Sequence, residues 1–278
     1  MVHRPGAPYL DCMTTRIARL DSRALVRVSG PDARSFLHTL LTQDVETLTT
    51  GLLRFGALLS PPGRVLFDLF LWGEVEAVVL DVAADRRDAL LQRLAMYRLR
   101  AQVTVEADDR PVFAAWGGDL PDGFIVDPRT PELGGRACGA AVAVDATEND
   151  WQAHRLAVGV PDTAADVLPD KIYPIEADFD LLNGIDFQKG CFVGQETTSR
   201  MKRRGAIKTR MLPIAFDGPA PAFGTEVLNG DLRAGEVLSG REGAAMALLR
   251  LDRIGGDLTA DGQAVTVRRP SWIVRATS

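Results

Sequence analysis

The sequence predicts an α+β protein whose last quarter forms a small β-barrel. Up to about Gly205, strand-like apolar runs alternate with amphipathic helix patterns. After that point the apolar runs are short and are separated by glycines, which is typical of small barrels. The length of 278 residues favours roughly two domains. A composition of 46% hydrophobic and 25% charged residues is that of an ordinary globular protein.

The first hundred residues carry the clearest periodic patterns. Alternation predicts strands, and apolar residues spaced by three and four predict helices. The predicted elements are, in order, a strand at 24–28, a helix with Phe36, Leu37, Leu40 and Leu41 on one face, strands at 54–59, 65–72 and 75–82, and a helix at 85–98. The sequence Pro61-Pro62-Gly63 predicts a turn that joins the second and third strands into a hairpin.

The remainder of the chain is cut more finely by proline and glycine. Its predicted elements are strands at 102–106, 112–116, 124–126 and 140–144, a helix at 150–158, and, after Arg204, strands at 208–216, 226–228, 236–238, 245–251 and 264–267. An acidic, proline-rich passage at 161–186 separates the two sets. These patterns favour an α+β body followed by a β-domain, with the boundary near Gly205.

Charge and cysteine content narrow the class of protein. The net charge is −5, so binding of nucleic acid by the whole surface is not expected, although a local basic patch remains open. No apolar run reaches the roughly 20 residues of a membrane span. Three separated cysteines (Cys12, Cys138 and Cys191) suit neither a disulfide framework nor a zinc knuckle. The sequence therefore predicts a cytoplasmic protein with no membrane segment and no metal site built from His and Cys.

One short run stands out as a candidate for chemistry. Phosphate-loop, dinucleotide-binding and Gly-x-Ser-x-Gly motifs are all missing, whereas Lys189-Gly190-Cys191-Phe192-Val193-Gly194-Gln195-Glu196 places a cysteine between two glycines. A helix predicted to begin near Val193, together with Lys189, would favour the thiolate form of Cys191. The opposing interpretation is that Cys191 is a small buried hydrophobic residue. The residues alone leave both readings open.

A basic run follows this motif. Six cations fall within eleven residues without an intervening acid: Arg200, Lys202, Arg203, Arg204, Lys208 and Arg210. Such a run is either a solvated face or a site for an anionic ligand. Since no aromatic residues are interleaved with it, binding of single-stranded nucleic acid is the weaker form of the second reading.

Asp68 is a carboxylate within an apolar strand. Alternation puts Leu66 and Phe70 on its own face and other apolar residues on the opposite face. A carboxylate in that position needs a partner or a pocket. The expectation is either pairing with an arginine, such as Arg64 or one from elsewhere, or contact with a ligand.

The cysteine motif resembles the Lys-Gly-Cys-Tyr/Phe-x-Gly-Gln-Glu signature of the YgfZ family of folate-binding proteins. The later Arg200 and the sequence Arg204-Gly205-Ala206-Ile207-Lys208 match the elements that follow in that pattern. Further similarities are at 30–33, 36–37, 41–45, 62–64, 155–161 and 174–177. The resemblance thus covers nearly the whole chain.

The resemblance implies the fold of the related glycine-cleavage T-protein, an aminomethyltransferase that uses tetrahydrofolate. Three lobes would form a ring around a folate pocket: residues 1–110, residues 111–204, and a C-terminal β-barrel at 205–278. Asp68 matches the second aspartate of the T-protein's Gly-Gly-x-Ile-Asp-Asp-Leu segment, while Phe67 replaces the first. Ala157 stands where the T-protein has a folate-contacting glutamate.

The resemblance also implies a function, which is to bind folate and assist the assembly or repair of iron–sulfur clusters in client proteins. Cys191 and Asp68 would be the reactive residues. The expected folate contacts are Asp68, Lys189, Gln195, Glu196, Arg200, Arg203 and Arg204, whose cations suit a glutamate tail. Two alternatives remain, a tetrahydrofolate-dependent one-carbon transferase and a protein associated with tRNA modification.

Overall fold

The computed structural model describes residues 14–205 and 207–273, with the backbone alone at Arg204. Nine strands precede the C-terminal domain: β1 (Arg16–Arg19), β2 (Arg23–Ser29), β3 (Leu53–Leu59), β4 (Val65–Gly73), β5 (Ala77–Ala83), β6 (Thr104–Asp108), β7 (Val112–Trp116), β8 (Ile125–Val126) and β9 (Gly135–Cys138). The helices are α1 (Ala33–Leu40), α2 (Arg87–Arg98), α3 (Glu148–Val158), α4 (Thr163–Asp166) and α5 (Gln195–Arg204). Single turns of 3₁₀-helix lie at Ala84–Arg86, Pro131–Leu133 and Leu251–Arg253.

The first lobe is an antiparallel sheet in the order β3-β4-β5-β2-β6 with α1 and α2. The predicted apolar face of α1 is confirmed, since Phe36, Leu37 and Leu40 are buried in one cluster with Leu41. Strands β4 and β5 are buried along almost their whole length. A polar residue in either strand therefore has to find its partner inside the protein.

The second lobe is an antiparallel sheet in the order β1-β7-β9-β8, with α3 beside it. The first strand of the chain belongs to this lobe, because β1 pairs with β7 from Arg16↔Trp116 to Arg19↔Phe113. The predicted strand at 140–144 is wrong, and β9 lies a few residues earlier. The predicted boundary between the first two lobes at residues 110 and 111 stays a prediction. Strand β1 lies before this boundary in the chain but pairs with β7 after it.

The third lobe is a closed six-stranded barrel. Its strands are β10 (Thr209–Ala215), β11 (Glu226–Asn229), β12 (Leu232–Arg241), β13 (Ala244–Arg250), β14 (Leu258–Ala260) and β15 (Gln263–Val267). They close in the order β10-β13-β12-β11-β14-β15. Closure pairs both edges of the sheet, so every barrel strand has two hydrogen-bonded neighbours. The predicted α+β class with a terminal barrel is confirmed.

One apolar core runs through all three lobes. It includes Phe70 of the first sheet, Trp116 and Trp151 of the second lobe, and Met246 of the barrel. The proline-rich passage before α5 packs along the first sheet, since the N–H of Val65 donates to the carbonyl of Ile172 at 2.9 Å. The lobes therefore form one continuous body around their shared interior.

Candidate functional site

The cysteine motif lies in a loop that is held at both ends by hydrogen bonds from backbone N–H groups to side chains. At its start, the Asp186 carboxylate accepts the N–H groups of Gln188 and Lys189 at 2.8 and 3.1 Å. At its end, Gln195 Oε1 accepts the N–H of Phe192 at 3.1 Å. Asp186 is itself fixed to the first lobe, because its N–H donates to the carbonyl of Thr42 at 2.9 Å.

Lys189 ties this loop to the C-terminal end of α1. Its ammonium donates to the carbonyls of Leu41, at 2.8 Å, and of His38, and it lies 5.1 Å from the centre of the Phe192 ring. A cation at this position satisfies carbonyls that the helix leaves unpaired. Burial lowers the pKa of Lys189 to about 8, against the opposing charges of Asp44 and Asp186. The role of Lys189 in this structure is therefore to hold the loop in position.

Gly194 lets the loop pack directly on the hairpin turn of the first lobe. Its φ is +78°, and a Cβ there would lie 2.7 Å from the Ser60 oxygen and 2.8 Å from Gly63 Cα. Gly63, with φ of +93°, faces the Gly194 carbonyl in turn. Both positions need glycine, because a side chain would strain the backbone and force the two turns apart. Gly190, by contrast, faces open space.

Cys191 is exposed and unpaired by any disulfide. The buried interpretation of this cysteine is therefore wrong. The residue after it, Phe192, is buried and anchors the loop. The arrangement presents a thiol to solvent on a loop that its neighbours hold in place. Such a thiol can act as a nucleophile, or it can contribute one sulfur ligand to a metal cluster carried by another protein.

Helix α5 follows immediately and divides into an inner and an outer face. Thr198 is fully buried and Met201 packs against the shared core. Glu196, Arg200 and Arg203 are exposed and share the opposite face, as residues four and three apart do. The predicted folate contacts Glu196, Arg200 and Arg203 thus lie on an open helix surface.

Among the described side chains of the basic run, Arg210 is buried and the other cations are exposed. Arg210 donates hydrogen bonds to Asp178 at 2.5 Å and to Asp180 at 3.0 Å, which fixes the first barrel strand. Lys202 reaches the same Asp180 carboxylate at 3.2 Å. Arg203 only caps its own helix, donating to the Ser199 carbonyl at 3.4 Å.

Asp68 sits apart from the cysteine loop, in the interior of β4. Its carboxylate accepts a hydrogen bond of 2.9 Å from Arg23, and both side chains are buried. Arg23 also donates to the Asp81 carboxylate at 2.6 Å and to its carbonyl at 2.9 Å. The expectation of an arginine partner is confirmed, but the partner is Arg23; Arg64 instead donates to the carbonyl of Lys171.

The Arg23 pair belongs to a larger buried network. Arg136 donates to Asp81 at 2.9 Å and lies 3.7 Å from the centre of the Phe70 ring, while Arg129 pairs with Asp127 at 2.8 Å. The network contains three arginines and three carboxylates, so these charges balance. Burial alone would lower the pKa of Arg23, but the charges of Asp81 and Asp68 outweigh it and the pKa stands above its ordinary value.

A central cavity of about 710 Å³ opens beside this network where the three lobes meet. The first lobe contributes Arg23 and Asp85, the second Glu148 and Arg155, and the barrel Arg241. A smaller cavity of about 130 Å³ adjoins it along Asp85 and is lined by Asp68. Cys191, Lys189 and the exposed cations of α5 line neither of these two cavities. Ala157 is exposed and lies outside both.

The structure thus separates two features that the sequence analysis placed together. The motif residues Lys189, Cys191 and Gln195 form one surface site, and Asp68 belongs to the interior network. Arg204 carries no described side chain, and Cys12 lies outside the described residues. Sequence reasoning missed Arg155, which is fully buried and pairs with Asp166 at 3.0 Å in the cavity wall. Its only signal was an arginine on the apolar side of the α3 pattern.

Within the described ranges, no group of three or more His, Cys, Asp or Glu side chains is placed to hold a metal ion. The other described cysteine, Cys138, is partly buried, and burial raises the pKa of its thiol to about 11 although Arg110 opposes the shift. Within the same ranges, no helix has both the length and the apolar character to cross a membrane.

Comparisons with known proteins agree with this architecture. Residues 208–275, which hold the barrel, match the model of the CAF17 C-terminal β-barrel domain. The fold is that of a solved structure, the glycine cleavage system aminomethyltransferase T from Bartonella henselae, with a TM-score of 0.76, 19% identity, and coverage of 95% of this chain and 87% of that chain. This likeness shows the three-lobed fold and not the activity.

Curated relatives at higher identity carry a different description. The iron-sulfur cluster assembly factor IBA57 of Mus musculus is 32% identical over 96% of this chain and 88% of its own length. The human protein of the same name is 30% identical over 91% and 84%. Both are named as mitochondrial proteins, which contradicts the predicted cytoplasmic location. By its sequence, the chain belongs to the IBA57 family of iron-sulfur cluster assembly factors.

Proposed function

We propose that this chain assists the assembly of iron–sulfur clusters by presenting the Cys191 thiol to a cluster that a partner protein carries. The observation that supports this proposal is the exposed cysteine on a fixed loop. A thiol held by Lys189 on one side and Gly194 on the other needs little reorganisation before it meets a ligand.

The remaining cluster ligands would come from outside the described part of this chain. Iron–sulfur clusters are held by about four protein ligands, and the described residues contain no group of His, Cys, Asp or Glu side chains placed to bind a metal. Cys138 does not complete the set, since it is partly buried on β9 of the second lobe and belongs to no metal-binding group within the described residues. The cluster is therefore treated as cargo shared with a partner or client, with Cys191 supplying one sulfur ligand.

Folate binding is the second part of the proposal, and the central cavity is its place. A volume of about 710 Å³ suits a ligand of this size. Glu148 and Asp85 offer carboxylates to the N–H groups of a pterin, and Arg241 offers a cation to the carboxylates of the tail. Bound tetrahydrofolate would supply one-carbon chemistry. The earlier expectation that α5 holds the tail stays a prediction, because those side chains line neither described cavity.

The one-carbon transferase alternative depends on Asp68, and the buried network weighs against it. The Asp68 carboxylate accepts a 2.9 Å hydrogen bond from the buried Arg23, so a substrate amine would have to displace that arginine to reach the same oxygen. A general base needs to lie within hydrogen-bond reach of the proton that it removes. The same contact leaves Asp68 with a structural role in the first sheet.

Cluster transfer to an apo client enzyme tests the main proposal. We expect Cys191→Ser to lower the yield of active holo-client strongly, because an alcohol is a poor ligand for iron in place of a thiolate. The matched control is Cys138→Ser, which removes the other described thiol and should leave transfer unchanged. Anaerobic reconstitution followed by ultraviolet–visible spectroscopy reports direct ligation, and a spectrum that is unchanged in Cys191→Ser would refute it.

Calorimetric titration tests the folate part separately. Tetrahydrofolate with one glutamate and with several glutamates is titrated into the wild type, into Arg241→Ala and into Arg203→Ala. Weaker binding in Arg241→Ala alone supports the central cavity. Loss of the gain from the longer tail in Arg203→Ala supports the α5 expectation. No heat with either ligand would remove folate from the mechanism and leave the cysteine proposal intact.

A further inference from the structure

The α5 side of the Cys191 loop carries a positive excess although the whole chain is acidic, whereas the acids near Lys189, which are Asp44, Glu46 and Asp186, lie toward the first lobe. Across residues 187–208 the sequence contains one acid, Glu196. Four cations with described side chains lie on or beside α5: Arg200, Arg203 and Lys208 are exposed, and the Lys202 side chain is 44% exposed. In a protein of net charge −5 this local excess is a distinct electrostatic feature.

An exposed aromatic residue lies beside these cations. Phe187 is 40% exposed, four residues before Cys191. The Lys202 ammonium lies 5.4 Å from the centre of the Phe187 ring, so α5 and the start of the loop form one surface. An aromatic anchor with arginines beside it is the composition enriched at the energetic centres of protein interfaces.

This surface is small enough to be covered by a single partner protein. From the start of α5 to Arg203 the helix rises by about 12 Å, at 1.5 Å per residue. A standard interface covers about 800 Å² on each partner, which corresponds to a disc roughly 30 Å across. A single protein that contacts Cys191 would therefore also cover Arg200 and Arg203.

We infer that Phe187, Cys191, Arg200 and Arg203 form a docking surface for an acidic protein, which meets the thiol with its own cluster-binding site. The inference rests on the proposed function for the identity of the cargo, whereas the charge preference stands on the surface itself. Complementary charge would raise the association rate and set the orientation of the partner before Cys191 makes contact. RNA is the competing anion, but no second aromatic residue is interleaved with the cations.

The reactivity of Cys191 toward charged peptides tests this inference without knowledge of the partner. The probes are peptides of glutamates, glutamines or lysines, each with one cysteine as its mixed disulfide with thionitrobenzoate. The Cys191 thiolate attacks the peptide sulfur, the peptide becomes bound to the protein by a new disulfide, and thionitrobenzoate leaves with the electron pair and is measured by its absorbance. The protein used carries Cys12→Ser and Cys138→Ser, so the measured reaction is that of the Cys191 thiol.

At low salt we expect the glutamate peptide to react about tenfold faster than the lysine peptide, the lower end of electrostatic steering effects. The combined change Arg200→Glu and Arg203→Glu should reverse this order. The matched control, Arg98→Glu with Arg100→Glu at the exposed end of α2, should leave it unchanged. At about 1 M salt, where the Debye length is about 3 Å, the three peptides should converge.

Equal rates for the acidic and basic peptides, or an unchanged order in the Arg200 and Arg203 variant, would overturn the inference. So would binding of a single-stranded RNA that the same variant abolishes, if the peptides show no preference. A preference for acidic peptides combined with normal cluster transfer by Cys191→Ser would leave the docking surface standing and refute the proposed function instead.

Discussion

Replacement of Arg23 by leucine tests whether the buried network holds the first lobe together. Arg23 donates a hydrogen bond to the Asp68 carboxylate and gives Asp81 two of its hydrogen bonds. Asp81 keeps Arg136 at 2.9 Å after the change. Asp68, whose side chain is 8% exposed, loses its counterion and keeps little contact with solvent.

The expected cost follows from that unpaired charge. Removal of one partner from a buried ion pair destabilises proteins by about 3–5 kcal/mol. The apolar stem of leucine recovers a part of the packing that the arginine stem made. For a chain of this length, each kcal/mol corresponds to about 2–4 °C in melting temperature. We therefore expect Arg23→Leu to melt about 10 °C below the wild type.

The assay is a double-mutant cycle followed by urea unfolding and by thermal melting. Asp68→Leu alone should cost less than Arg23→Leu, because Arg23 still pairs with Asp81. The double variant removes the unpaired carboxylate and should recover at least half of the Arg23→Leu loss, so the coupling energy should be about 2 kcal/mol or more. Additive losses in the double variant would refute the reasoning, since they would mean that the Arg23–Asp68 contact carries no energy.

Two further predictions concern the motif loop and the barrel junction. Gly194→Ala should lower the free energy of unfolding by about 1–2 kcal/mol, because Gly194 has a φ of +78° and its added Cβ would lie 2.7 Å from the Ser60 carbonyl oxygen. Gly190→Ala, at a position that faces open space, should change the free energy of unfolding little. Equal losses for the two variants in urea unfolding would contradict this prediction. Burial, opposed by Arg210, raises the pKa of Asp178 from 3.8 to about 8, so between those values the folded state holds a proton that the unfolded state releases. Stability from this group should therefore fall as pH rises from 4 to 8, and Asp178→Asn should flatten that slope in urea unfolding at several pH values; an unchanged slope would contradict the assignment.

The fold of this chain is that of an aminomethyltransferase, and the Arg23–Asp68 contact and the Cys191 loop lie at separate places in it. The Asp68 carboxylate, through Arg23, joins two strands of the first sheet. The exposed thiol lies on the motif loop, whose Gly194 packs against the turn of the β3–β4 hairpin. One fold thus carries an interior cavity and a surface cysteine that can be altered independently.

Local patterns were sufficient for much of the fold. The hairpin of β3 and β4, the apolar face of α1 and the burial of Asp68 each follow from residues within one segment. Period and turn residues report whether a segment is a strand or a helix and which face it buries. The same local evidence missed β1, since Arg16–Arg19 has no apolar alternation and becomes a strand only by pairing with β7.

What the sequence by itself determined is therefore the class of the fold, the barrel at its end and a cysteine motif specific enough to indicate the family. The tertiary structure alone decided that Arg23, 45 residues before Asp68 and beyond the intervening β5, is its partner. It also decided that Cys191 is exposed and that the central cavity lies elsewhere. The physical reason is that periodicity is a property of neighbouring residues, whereas ion pairing, exposure and cavities depend on which distant segments meet.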